Sequence, residues 1–195
     1  MEEKKYAVLI DGDNISSKYL DSILNEMTKY GIATYKRIYC DFTSQQSSKW
    51  RRLVRDSGIQ AMQQFANTVG KNATDSTLII DAMDILYTGN VDGFCIVSSD
   101  GDFTRLAIRL KESGMDVIGM GESKTPRSFR AACTVFTDLE ILYEAESEDD
   151  EISTKGKKAA VKHNVVKVSE IENVIIEIIN ENNNKGRRTG LGEIE

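Results

Sequence analysis

Two short stretches of this sequence end in the same pattern of acidic residues. AVLIDGDNIS places Asp11 and Asp13 after an apolar run, and FCIVSSDGDF places Asp100 and Asp102 after another. Burying a carboxylate at the end of a strand is unfavourable unless a partner compensates for its lost solvation. The apolar runs predict strands, and ligands of open parallel sheets bind beyond the carboxyl ends of the strands. We therefore expect the two Asp-Gly-Asp pairs to come together.

A further carboxylate, Asp75, is expected to lie near the two Asp-Gly-Asp pairs, because of its position in the helix predicted in KNATDSTLIIDAMDIL. At about 100° per residue, Asp75 falls in the middle of the apolar face and in the first turn. Asp84 points nearly the opposite way, and Asp81 lies at the edge of the apolar face. Asp75 is therefore expected to face inward at the start of this helix, whereas Asp84 is expected to be solvated.

Several of these aspartates also have a simpler structural interpretation. Asp75 could be an N-cap, and Asp13 and Asp102 are typical of caps and turns. These roles do not account for Asp11 and Asp100, which end apolar runs. Gathered like charges repel each other and raise their pKa values, and a hard divalent cation removes this repulsion. Because every ligand would be an oxygen, the sequence predicts a Mg²⁺ or Mn²⁺ site.

The predicted roles follow from the chemistry of such metals, which orient and polarise phosphates and activate water. The expected metal ligands are Asp11, Asp13, Asp75 and Asp100, and the expected catalytic residues are Asp11, Asp75, Asp100 and Asp102. The expected substrate contacts are Asn14, Ser98, Ser99, Lys71, Lys124 and Arg127. Lys71 fits an exposed loop lysine at least as well.

The rest of the composition limits the chemistry. Three scattered cysteines form no CxxC pair and are interpreted as buried small hydrophobes. The single histidine, His163, excludes a histidine-based triad within this chain. A net charge of −6 is only a weak argument against nucleic-acid binding and leaves room for a local basic surface. No apolar run approaches the roughly 20 residues that span a bilayer. The N-terminus lacks a secretory signal pattern, so we expect a cytoplasmic protein with no membrane partner.

Strand-like and helix-like segments alternate over residues 1–145, which predicts an α/β domain with a parallel sheet covered on both faces. The expected strands are 6–10, 34–41, 59–65, 93–98, 116–120 and 135–136. The expected helices are 17–30, 45–57, 75–88, 103–113 and 125–131. On a helical wheel, Trp50 of SSKWRRLVR faces away from Arg51, Arg52 and Arg55, which favours a core tryptophan under a solvated basic face. Contact of this basic face with phosphates stays open if it borders the acidic site.

A change of composition marks the end of this domain. Acids and then lysines dominate residues 146–166, which predicts a charged, flexible linker. Residues 167–195 contain a capping pair, Ser169 and Glu172, followed by an apolar stripe, which predicts a helical segment. A lone amphipathic helix cannot bury its stripe, so it either docks on the first domain or begins a truncated second one; we favour truncation.

Three motifs, VLIDGDNI, KNATDSTLIIDAMDIL and FCIVSSDGDFTRLAIRLKESGMDVIGMG, together resemble the NYN domains of the PIN-like nuclease superfamily, in its LabA-like branch. The resemblance covers residues 5–143 and implies a PIN-like, Rossmann-like parallel sheet with a metal-dependent acidic site that cleaves RNA. By position, that site maps to Asp11, Asp75, Asp100 and Asp102, with Asn14 alongside. The tail resembles the start of an OST-HTH (LOTUS) winged-helix domain, a module associated with RNA binding.

The sequence therefore predicts a metal-dependent ribonuclease acting on single-stranded RNA, and two other functions stay open. The first is a non-catalytic RNA-binding or scaffold module of the same fold. The second is a phosphatase of the haloacid dehalogenase type, with an aspartyl nucleophile from the first Asp-Gly-Asp. Against it, Asn14 and Ile15 stand where a hydroxyl-bearing residue is expected, and Asp75 has no role. A homodimer, with basic residues of one subunit serving the other's site, is compatible with the sequence.

Overall fold

The computed structural model describes residues 3–45, 47–65 and 73–147. The strands of this part form one parallel sheet in the order β3-β2-β1-β4-β5-β6. The strands are β1 (Lys5–Asp11), β2 (Ile32–Cys40), β3 (Gln60–Gln63), β4 (Gly93–Val97), β5 (Asp116–Gly121) and β6 (Val135–Asp138). Each lies where the sequence predicts a strand, so the predicted α/β architecture is confirmed.

Helices connect the strands, as parallel pairing requires. They are α1 (Leu20–Met27), α2 (Ser48–Ser57), α3 (Ala73–Thr88), α4 (Thr104–Glu112) and α5 (Arg127–Ala132). Short 3₁₀ turns, Ser17–Tyr19 and Gly101–Phe103, precede α1 and α4. Among the described residues, no helix is long and apolar enough to cross a membrane.

Residues 139–147 form a further helix, α6, which the sequence analysis missed. Its signal was the spacing of Leu139 and Leu142, which pack into the core. The helix extends two residues into the predicted linker 146–166. The rest of that linker and the predicted helical segment 167–195 lie outside the described residues.

Side chains of β1 alternate between two cores, one on each face of the sheet. Ala7 and Leu9 pack with α3, α4 and α5, whereas Val8 and Ile10 pack with α1, α2 and α6. A strand buried on both faces is apolar along its whole length, which explains the unbroken AVLI run before the first acid. The three cysteines are buried and free, as predicted.

The order of the strands reverses between β1 and β4, which are hydrogen-bonded neighbours. Connections on either side of this point leave the sheet in opposite directions, so a crevice opens beyond the carboxyl ends of these two strands. Both strands run directly into an Asp-Gly-Asp pair. The expectation that the two pairs meet at one edge of the sheet is therefore confirmed.

Candidate metal centre

Asp11, the last residue of β1, is completely buried. Its Oδ2 accepts hydrogen bonds from Asn14 Nδ2 at 2.8 Å and from Ser98 Oγ at 2.7 Å. Its Oδ1 is buried and has no hydrogen-bond partner in the described part of the chain. Burial raises the pKa of Asp11, and the bonds from Ser98 and Asn14 offset part of this rise. An unpartnered oxygen at such a site is a position where a cation would be stabilising.

Three further carboxylates gather beyond the ends of the strands. One oxygen each of Asp75, Asp100 and Asp102 lies within 4.8 Å of the others, and these three residues are called the aspartate cluster below. Asp100 caps the 3₁₀ turn by accepting the backbone N–H of Asp102 at 2.9 Å. Asp75 is the third residue of α3 rather than its N-cap, and it is buried as predicted.

The charges of these aspartates act on one another. The pKa of Asp75 rises to about 6, first because of burial and then because of the charges of Asp11, Asp100, Asp102 and Asp13. Such repulsion is unfavourable unless positive charge is added. An all-oxygen donor set that the charge of Asp11 also reaches fits a hard divalent cation such as Mg²⁺ or Mn²⁺.

The carboxylates that the structure brings closest together are not identical to the predicted ligand set. Asp13 is exposed and lies outside the aspartate cluster, and its carboxylate accepts a hydrogen bond from Thr74 Oγ1 at 2.8 Å. Asp102, predicted as catalytic but not as a ligand, lies in the cluster, and the metal-ligand assignments stay predictions. Asp11 is also outside the cluster of three, although its charge reaches Asp75.

Two of the predicted substrate contacts, Ser98 and Ser99, form hydrogen bonds within the protein. Ser98 is completely buried, and its hydroxyl donates to Asp11 and accepts the backbone N–H of Asp100 at 3.0 Å. Ser99 is also buried and accepts the N–H of Glu122 at 2.9 Å. Both hydroxyls are therefore engaged below the surface: that of Ser98 holds Asp11 and Asp100, and that of Ser99 holds the backbone of Glu122.

Comparison with known proteins agrees with this geometry. A family model described as the NYN domain matches residues 5–140. The chain belongs to the NYN domain family. This is a nuclease-like domain, which removes the basis for the phosphatase interpretation. The LabA-like branch and the OST-HTH domain stay predictions.

One curated protein and one solved structure that are similar to this NYN protein show how far the match extends. "Uncharacterized protein MJ0482" of Methanocaldococcus jannaschii is 26% identical over 174 residues, which are 86% of this chain and 66% of that protein. The chain therefore spans just under two thirds of that relative's length. The crystal structure of VPA0982, a protein of unknown function from Vibrio parahaemolyticus, matches with a TM-score of 0.59 and 19% identity. This match covers 71% of this chain and 96% of the other, and it supports the fold.

The remaining predicted substrate contacts of the NYN domain differ in their surroundings. Asn14 is exposed, but its amide is engaged with Asp11. Lys124 is exposed and pairs with Glu122 at 2.8 Å. Arg127 is exposed at the start of α5, directly after Pro126, which lies against Gly101 of the acidic turn. Lys71 lies outside the described residues.

The loop after Asp11 is fixed by two contacts. Trp50 donates its indole N–H to the backbone oxygens of Gly12 at 3.0 Å and Ile15 at 3.3 Å. A Cβ on Gly12 would lie 2.9 Å from Ile38 Cδ1, so this close approach to β2 requires glycine. Trp50 is buried as predicted, and it also holds the loop of the candidate site.

An ion pair that the sequence analysis missed anchors the helix carrying Asp75. Asp81 Oδ2 pairs with Arg37 Nη1 at 2.6 Å and accepts from Tyr39 Oη at 2.5 Å. The pair is largely buried, with 19% of the Arg37 side chain and 18% of the Asp81 side chain exposed. The only sequence signal was the position of Asp81 at the edge of the apolar face of α3.

Replacing Asp81 with Asn is expected to lower the free energy of unfolding by about 1–3 kcal/mol, because it leaves a largely buried guanidinium without its counter-charge. Urea unfolding measures this change. Asp84→Asn is the matched control, since Asp84 is exposed on the same helix and its replacement should stay within about 0.5 kcal/mol. Equal losses for the two variants would contradict an anchoring role for Asp81.

Replacing Ser98 with Ala is expected to lower the free energy of unfolding by about 1–3 kcal/mol, because two buried groups lose a hydrogen-bond partner. These groups are the carboxylate of Asp11 and the N–H of Asp100. Urea unfolding of Ser128→Ala, which alters an exposed serine of α5, provides the control. A Ser98→Ala protein as stable as the control would show that this hydroxyl does not support the site.

Proposed function

We propose that this NYN domain is a metal-dependent ribonuclease that hydrolyses phosphodiester bonds of single-stranded RNA. The observation that carries the proposal is the aspartate cluster, in which one oxygen of each carboxylate lies within 4.8 Å of the others. The charge of Asp11, which has an unpartnered buried oxygen, also acts on Asp75 of this cluster. Membership of a nuclease-like family supports the same reaction. A binding module of this fold would not need carboxylates held close together against their own repulsion.

The residues of the site form two groups: carboxylates that would hold a metal ion, and polar side chains that hold Asp11 in place. Asp75, Asp100 and Asp102 would hold a Mg²⁺ or Mn²⁺ ion, with Asp11 next to them. When bound, such an ion would polarise the phosphate and supply an activated water. Asp75 and Asp102 also orient the attacking water. Ser98 and Asn14 hold Asp11 in one orientation through its Oδ2, which keeps Oδ1 available.

An exposed arginine beside the turn that carries Asp100 and Asp102 would contact the RNA. Arg127 follows Pro126, which contacts Gly101 between Asp100 and Asp102. Because Arg127 is exposed beside this turn, we assign it a phosphate contact next to the bond that is cut. Lys124 has a weaker claim, since Glu122 already neutralises it. The cytoplasmic location, the homodimer and the contribution of residues 167–195 stay predictions from the sequence.

Cleavage of an end-labelled single-stranded RNA by the purified protein tests the proposal. We expect cutting with Mn²⁺ or Mg²⁺ and none with EDTA. A folded protein that binds the RNA but cuts it with neither metal would instead favour the non-catalytic binding module. Cutting that continues in EDTA would contradict the metal dependence and indicate a contaminating ribonuclease.

A further inference from the structure

A groove leads away from the acidic edge of the sheet along the start of α2. Its first part is a cavity of about 570 Å³ that opens beside Asp13 and Asn14 and runs over Trp50. Its second part is a cavity of about 380 Å³ that shares Ser17 and Lys49 with the first. The two parts are therefore adjacent, and together they are called the α2 groove below.

Cations without counter-charges line the far part of this groove. Lys49 and Arg52 are exposed, and neither forms an ion pair within the part of the chain that the structure describes. Lys18 also lines it, with its ammonium 4.6 Å from the centre of the Tyr19 ring. One carboxylate, Asp21, is among the lining residues of this part. Exposed unpaired cations beside an acidic site, in a chain of net charge −6, indicate that this surface receives an anion.

The shape and spacing of the α2 groove fit a nucleic-acid strand. Lys49 and Arg52 are three residues apart on one helix, so they lie side by side about one turn along the groove. Ser16, Ser17 and Ser48 add hydroxyls of the kind that bond phosphate and sugar oxygens. A few nucleotides of a flexible single strand fit a depression of this size, whereas a rigid duplex would bridge over it.

We propose that the α2 groove binds the sugar-phosphate backbone of single-stranded RNA as it leaves the aspartate cluster, with Lys49 and Arg52 contacting its phosphates. This inference rests on the proposed ribonuclease function for its substrate. It assigns substrate binding to the start of α2, where the sequence favoured a core tryptophan under a solvated basic face and left phosphate contacts by that face open. The cations concentrate in the far part of the groove, where Asp21 is the one carboxylate among the described lining residues.

Binding of a fluorescein-labelled single-stranded RNA in EDTA, followed by anisotropy, tests the α2 groove without requiring catalysis. We expect the double variant Lys49→Gln, Arg52→Gln to bind at least about 10-fold more weakly than the unaltered protein. The slope of log affinity against log salt should fall by about 1.4, since each phosphate contact to a single strand contributes about 0.7. The control Arg109→Gln, Lys111→Gln removes the same charges from α4 and should change neither quantity.

The outcomes separate this proposal from the ribonuclease itself. Three results would contradict RNA binding in the α2 groove. They are unchanged binding by the Lys49→Gln, Arg52→Gln variant, equal losses of affinity in both double variants, and no binding by the unaltered protein. Groove-dependent binding in a protein that does not cleave RNA with metal would keep the groove and overturn the nuclease. Metal-dependent cleavage with a KM that is unaffected by the Lys49, Arg52 changes would keep the nuclease and overturn the groove.

Discussion

Replacing Asp100 with Asn is expected to lower the metal-dependent rate of RNA cleavage at least about 100-fold. Asp100 contributes one of the three clustered carboxylates, and Asn removes its charge without changing its size. Asn retains a side-chain oxygen that can accept the N–H of Asp102, so the 3₁₀ turn should persist. The rate constant for cleavage of labelled RNA in Mn²⁺, with the circular dichroism spectrum as a check on folding, measures the effect.

Asp84→Asn is the matched control for this rate. It makes the same chemical change at an exposed aspartate of α3, outside the aspartate cluster, and should leave the rate within about twofold. Equal cleavage by the Asp100→Asn protein and the unaltered protein would show that the cluster takes no part in the reaction.

Replacing Asp75 with Asn is expected to stabilise the metal-free protein above pH 7 by about 1–3 kcal/mol. The pKa of Asp75 in the folded protein is about 6, above its ordinary value of 3.8, because of burial and neighbouring negative charges. The folded state therefore favours the protonated acid, and this preference destabilises the protein as the pH rises from about 4 through 6. Asn carries no charge, so the gain should be large at pH 8 and absent below pH 4.

Bound Mn²⁺ should make the unaltered protein more stable than the Asp75→Asn protein, the reverse of their order without metal. Mn²⁺ binds the folded aspartate cluster and raises the free energy of unfolding of the unaltered protein, whereas the Asp75→Asn protein should gain much less. Urea unfolding at pH 4 and pH 8, in EDTA and in Mn²⁺, measures both effects, with Asp84→Asn again unchanged. An Asp75→Asn protein that is less stable than the unaltered one at pH 8 in EDTA would contradict the repulsion.

The sequence predicted those parts of the fold and site that depend on a local pattern of apolar and acidic residues. Apolar runs buried on both faces marked β1 and β4, and the acids ending them had to share one edge of the sheet. The 3.6-residue period of α3 placed Asp75 inside and Asp84 outside, as the structure has them. Each of these inferences needed only local sequence and a general rule.

The parts that were not predictable depend on contacts between distant segments. Asp102 lies in the aspartate cluster through the 3₁₀ turn that Asp100 caps, whereas Asp13 lies outside it and accepts a hydrogen bond from Thr74. The hydrogen bonds of Ser98 and Ser99 within the protein depend on which way each hydroxyl points. Both residues lie in an irregular loop, where side chains do not alternate between two faces as they do in a strand, so the sequence does not determine this direction. The Arg37–Asp81 pair joins a strand to a helix 44 positions later, and no local pattern links them.

The position of a bound metal tests the central claim most directly. Crystals grown with Mn²⁺ and measured near the manganese absorption edge locate the ion by its anomalous scattering. We expect a peak among the carboxylates of Asp75, Asp100 and Asp102, next to Oδ1 of Asp11, and its loss in crystals of the Asp100→Asn protein. A peak only elsewhere, or none at Mn²⁺ concentrations that support cleavage, would contradict the assignment of this cluster as the metal centre.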